Sequence, residues 1–128
     1  MKKPTAEHER RGAKRYKYPK NITSIRTRVI SSIYRPDDIT FIDFSHTGLG
    51  LISNHNIPIG AALDLEMSVD DKLPVLLKAV ISNRRKLDTG YRYGAFFEPN
   101  LQANAQQVED TLVDVEDQLG SAQLEFFP

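Results

Sequence analysis

The chain has 128 residues, 40% of them apolar and 27% charged, with 17 lysines and arginines balancing 17 aspartates and glutamates. That is the length and texture of one ordinary domain with its own core. With no cysteine, disulfides, thiolate metal sites and cysteine nucleophiles are excluded. The opening MKKPTAEHERR never reaches the apolar run of a signal peptide, and no stretch is apolar for long enough to span a bilayer. A cytoplasmic protein without membrane insertion is expected.

The zero net charge hides an uneven distribution. Residues 1–20 carry Lys2, Lys3, Arg10, Arg11, Lys14, Arg15, Lys17 and Lys20 against Glu7 and Glu9, whereas residues 101–128 carry six carboxylates and no lysine or arginine. Such asymmetry points to an anionic partner for the basic end, or to attraction between the two ends. Residues 1–20 are polar and punctuated by Pro4, Gly12 and Pro19, so they read as a flexible basic arm with little to bury.

From residue 21 to 99 the texture is that of short strands. ITSIRTRVISSIY is a half-buried strand of ambiguous phase. DITFIDFS follows the turn at Arg35-Pro36-Asp37-Asp38, and simple alternation puts Ile39, Phe41 and Asp43 on one face and Ile42 and Phe44 on the other. GLGLIS comes next, then ALDLEMSV with Leu63, Leu65 and Met67 on its apolar face. PVLLKAVISNRR and YRYGAFFE complete the series around a turn in which Gly90 is suited to positive φ. Strands at this spacing argue for a small antiparallel barrel or sandwich. After Pro99, Asn100 is a candidate N-cap, and Leu101, Ala105, Val108, Leu112, Val115 and Leu119 recur at steps of four and three, which predicts an amphipathic helix over 100–120 and a tail over 121–128. Its apolar stripe is expected to lie across an open end of the domain.

Catalysis finds little support. His8, His46 and His55 lack metal-ligand spacing, no Walker-type glycine loop occurs, and Ser45 beside His46 on a strand would face the other way. Neither an enzyme nor a cofactor or metal is expected. Arg11 and Arg15 offer two planar forks that fit phosphate or the Hoogsteen edge of guanine, although taken alone a solvated arm explains them as well. Asp43 and Ser45 at i and i+2 project from one strand face, and Gly48 permits a sharp turn or a close approach. Asp43 could then accept from the N–H groups of a guanine, but Asp, Ser and Gly are also ordinary strand-end residues.

Taken together, RxxxR (Arg11 to Arg15), a strand, [DN]xSxxG (Asp43 to Gly48) and the late YRYGAFFE resemble the PilZ domain over roughly Arg10 to Pro99. The resemblance implies an all-β fold, a six-stranded antiparallel barrel with a helix near its carboxyl end, binding cyclic di-GMP. It implies that Arg11 and Arg15 clasp guanine and phosphate while Asp43, Ser45 and Gly48 form the barrel side of the site. An arginine directly before the first motif arginine, here Arg10, implies an intercalated pair of messenger molecules. Phe44 is bulkier than the small aliphatic residue often found there, which bears on local packing. Arg84 and Arg85 end a strand, and Arg84, sharing a face with Ser82, is added as a further ligand candidate; Tyr91 and Tyr93 share a face and suit either base stacking or cross-strand packing.

The expected function is a single-domain cyclic di-GMP receptor and adaptor whose arm closes over the ligand and changes the surface shown to a protein partner in motility or exopolysaccharide control. The competing readings are a basic-armed barrel that binds nucleic acid nonspecifically and a PilZ-like adaptor that contacts only proteins. Against nucleic acid stand the zero net charge and the acidic tail.

Overall fold

β-Branched and aromatic residues in short alternating runs favour extended backbone with one face buried, and seven strands pair among the described residues. The computed structural model describes residues 14–18, 24–30, 34–35, 38–98 and 105–124. They form β1 (Tyr16–Lys17), β2 (Ile25–Val29), β3 (Ile39–Ser45), β4 (Gly48–Ser53), β5 (Ala62–Val69), β6 (Val75–Lys86), β7 (Tyr91–Phe97) and one helix, α1 (Ala105–Leu124). Every pairing is antiparallel, in the order β1-β3-β4-β7-β6-β5-β2. The sheet is a half-barrel, and relative to the six strands expected it gains the two-residue β1, which lies within the segment read as an arm.

The two edges of the sheet meet through side chains. Tyr18, just past β1, takes a backbone hydrogen bond from its N–H to Ile42 O at 3.0 Å. Its hydroxyl shares a 2.7 Å hydrogen bond with Thr27 Oγ1 on β2. Burial pushes the Tyr18 phenol above its ordinary pKa, with the Thr27 hydrogen bond acting the other way.

Inside the half-barrel, Leu63, Leu65 and Met67 are fully buried, as the alternation of β5 predicts, and Leu77, Ala79 and Ile81 answer them from β6. On β2 the phase resolves with Ile25 and Val29 buried and Arg26 and Arg28 exposed. Tyr93 is also buried, its hydroxyl accepting from Ile57 N–H at 2.7 Å and donating to His55 O, so it anchors the loop after β4. Tyr91 stacks beside it at 6.0 Å, the packing alternative for this pair. Gly90 takes φ +90° in the β6–β7 turn, where Leu87 N–H reaches its carbonyl at 3.0 Å.

Helix α1 closes the open side. Val108, Leu112, Val115 and Leu119 enter the core, while Ala105 is exposed. The helix touches β1 at one edge of the sheet and β5 and β6 towards the other. Lys72 on the β5–β6 loop hydrogen-bonds Asp114, which raises the lysine's pKa. Gln118 accepts from Ser24 Oγ at 2.6 Å and donates to Asp70 Oδ2 at 2.9 Å. Asn100, the expected N-cap, lies outside the described residues.

Gly120, expected to end the helix, is instead interior to it, and the helix continues to Leu124. A methyl carbon there would lie 3.6 Å from the Tyr16 ring, an ordinary contact. Gly120→Ala is therefore expected to stabilise the protein by about 0.5–1 kcal/mol, the usual difference between the two residues inside a helix. Urea unfolding monitored by circular dichroism checks this; a lowered midpoint would mean that ring and helix have no room for the methyl.

Candidate ligand-binding site

Two β-bulges decide what faces outward at the centre of the sheet. In β3 the register against β4 shifts between Phe41 and Asp43, and in β6 the register against β7 shifts between Ile81 and Asn83. Each bulge inserts one residue and reverses the alternation beyond it. Phe41 therefore packs on the core while Asp43 turns outward, and Ile81 is buried while Asn83 and Arg85 turn outward. Between them lies a cross-strand pair, Gly50 on β4 and Gly94 on β7. The result is one outer row, Lys17, Asp43, Gly50, Gly94 and Asn83, across five strands.

The glycines have a steric reason. A Cβ on Gly50 would come within 2.7 Å of Asp43 Oδ1, and one on Gly94 within 2.7 Å of Asn83 Nδ2. Bare backbone at Gly50 lets the Asp43 carboxylate lie across β4 and reach β7. There Arg92 Nη2 donates to Asp43 Oδ2 at 3.2 Å, while Arg15 Nη1, entering from beside β1, donates to Oδ1 at 2.7 Å. Both carboxylate oxygens are thus held by guanidinium groups from opposite sides, and the Asp43 side chain is only 17% exposed.

Around this bridge opens a cavity of about 260 Å³ lined by Arg15, Asp43, Gly50, Asn83, Arg85, Arg92, Tyr93 and Gly94. Three guanidinium groups against one carboxylate give it an excess of positive charge. Arg85 has no ion pair with any described residue. The chemistry suits an anion that also offers donors to Asp43, since a carboxylate only accepts.

The residues singled out in the sequence are distributed unevenly around it. Asp43 and Arg15 meet in the cavity. Ser45 lies at the end of the same strand but is buried, its hydroxyl engaged with Thr47 Oγ1 at 3.2 Å, Thr47 N–H at 3.3 Å and Gly48 O at 3.4 Å, so it fixes the β3–β4 turn. Gly48 makes room for strand pairing, because a Cβ there would sit 2.2 Å from Ala95 O. Phe44 points into the core and packs on Phe97 at 6.1 Å, which accommodates its bulk. Arg84 is not at the cavity; past the bulge it lies over the Tyr91 ring at 5.5 Å and bonds Asn56. Arg10 and Arg11 lie outside the described residues.

A sequence model of the PilZ domain matches residues 9–114. The chain belongs to the PilZ family. Searches among curated proteins and among solved structures return no match. PilZ domains are non-catalytic receptors for cyclic di-GMP, so the cavity around Asp43 is the candidate messenger site of this PilZ domain. Arg92, Arg85, Gly50 and Gly94 also line this cavity and lie outside the two sequence motifs. A signal was available for two of them, because alternation within YRYG puts Arg92 and Gly94 together on the face opposite Tyr91 and Tyr93. For Arg85 no such signal exists, since the bulge at Ser82 inverts what alternation gives.

Proposed function

We propose that this PilZ protein is a cyclic di-GMP receptor and adaptor in which the basic segment before β1 brings Arg10 and Arg11 beside Arg15 over the Asp43 cavity. The observation that supports this best is the carboxylate of Asp43 held between Arg15 and Arg92 on the outer face of the sheet. Asp43 accepts from the N–H groups of a guanine, and the guanidinium groups take phosphates and Hoogsteen edges. Ser45 and Gly48 act on this reading by fixing the turn and the strand approach that present Asp43. Arg10 adds a further guanidinium for a second, intercalated messenger molecule. The closed arm then changes the surface offered to a protein partner in motility or exopolysaccharide control. A cytoplasmic site of action accords with this reading, and among the described residues no helix is long and apolar enough to cross a membrane.

Isothermal titration calorimetry with cyclic di-GMP tests the assignment. Wild type is expected to bind two molecules per chain. Arg11→Ala and Arg15→Ala are each expected to weaken binding roughly ten- to a hundredfold, from about 1–3 kcal/mol per bidentate arginine contact. Wild-type isotherms from both variants would remove the site. A generic nucleic-acid surface is the competing reading, supported by the excess of guanidinium groups in the cavity; it places no value on Asp43 and predicts a steep salt dependence with any oligonucleotide.

A further inference from the structure

Neighbouring side chains on a strand point to opposite faces, so a residue that meets a ligand outside has a neighbour that touches the interior. In the arginine half this rule leads to α1, and the Asp43 half reaches the same helix through the β3–β4 turn. Arg15 holds Asp43, and the next residue, Tyr16, packs against the core with its ring over Gly120 of the helix. Asp43 leads through Ser45 into the β3–β4 turn, and the residue at its tip, His46, reaches the helix from the other side. His46 Nε2 lies 2.8 Å from Glu109 Oε2 and Nδ1 3.8 Å from Glu116 Oε1. Those glutamates are seven residues apart, so one imidazole spans two helical turns, about 10 Å of α1.

The strand that directly follows Arg15 is the shortest in the sheet. β1 pairs with β3 over only two residues, Tyr16 with Phe44 and Lys17 with Asp43, and lies at an edge. Any change in how Arg15 engages Asp43 therefore acts on a short strand whose inward side chain rests on α1. The remaining anchors of the helix, Lys72 to Asp114 and Gln118 to Ser24 and Asp70, come from the β2 and β5–β6 side, away from the cavity. The helix is thus held by the messenger site along one flank and by the far side of the barrel along the other. Its outward residues, Asp110, Val113 and Asp117, are exposed where a partner would meet them.

We propose that α1 is the read-out element of the messenger site, sensing it through Tyr16 from the arginine half and through His46 from the Asp43–Gly48 half. The proposal rests on the receptor reading above and adds where the signal goes.

Hydrogen–deuterium exchange of the full chain, with and without saturating cyclic di-GMP, tests it alongside calorimetry on the same samples. In wild type, amides of 105–124 are expected to change exchange rate by at least about threefold on binding. His46→Gln and Glu109→Gln leave Arg15, Asp43 and Arg92 in place; both are expected to bind within about tenfold of wild type, a span typical of a coupling change, and to lose at least half of the helix response. Wild type that binds without any response in 105–124 would overturn the relay and leave the receptor reading standing, as would full responses in both variants. Wild type that does not bind in calorimetry would overturn the receptor reading and the relay with it.

Discussion

Gly48→Ala is expected to lower the thermal midpoint by on the order of 10 °C, the largest stability effect of any single methyl in the site. The new Cβ would meet Ala95 O at 2.2 Å and Phe96 Cα at 3.0 Å, both backbone atoms of β7. Backbone cannot rotate away as a side chain does, and β4 is confined between β3 and β7, with β6 behind β7. Relief requires unpairing Gly48 from Phe96, at the turn that Ser45 fixes. Overpacking of this kind costs about 3 kcal/mol or more when the surroundings cannot yield. Differential scanning calorimetry reads the effect directly, and a midpoint within a few degrees of wild type would mean that the two strands are not so close. The glycine of the [DN]xSxxG motif is on this account a requirement of strand approach, and any loss of messenger binding in the variant should follow the loss of fold.

What the sequence made legible, and what it hid, follows from how side-chain direction is encoded. Alternation was a sound guide where strands are regular: Leu63, Leu65 and Met67 went inside, and Tyr91 and Tyr93 shared the inner face. It failed where a bulge intervenes. Simple alternation groups Asp43 with Ile39 and Phe41, yet the extra residue between Phe41 and Asp43 puts it on the other face. Alternation likewise pairs Arg84 with Ser82 on one face and Arg85 on the other, and the shift between Ile81 and Asn83 exchanges the faces of the two arginines. A bulge has no strong local signature, as it depends on pairing with a strand distant in sequence. Asp43, Ser45 and Gly48 stand out by type and spacing, but their different placements do not, because the buried hydroxyl of Ser45 and the strand contact of Gly48 are properties of the turn and of the neighbouring strand. Gly120 read as a stop because glycine favours helix ends, whereas here the helix runs past it beneath Tyr16.

Asp43→Ala separates a messenger receptor from a generic anion surface by the sign of its effect. The substitution removes the one carboxylate among the cavity residues and leaves Arg15, Arg85 and Arg92 facing it, so the local charge becomes more positive. A polyanion attracted by charge alone should then bind more tightly, and increasingly so at low salt. On the proposed receptor reading cyclic di-GMP should bind more weakly, because its guanine donors would lose their acceptor and Arg15 and Arg92 lose the group that aligns them. With hydrogen bonds to a charged acceptor worth about 1.5–3 kcal/mol each, the expected loss is about 3 kcal/mol, more than a hundredfold in affinity. Gly50→Ala provides the control that leaves charge untouched: its methyl would press on Asp43 Oδ1 from 2.7 Å and turn the carboxylate away from Arg92, so binding should fall in the same direction by a smaller factor. Asp43→Asn, which keeps one acceptor oxygen in the same place, should fall between the two. Parallel titrations of cyclic di-GMP and a single-stranded oligonucleotide against these variants give the answer. Tighter binding of both ligands by Asp43→Ala would show that the cavity attracts by charge alone, and the carboxylate between two arginines would then be a structural clamp without a part in recognition.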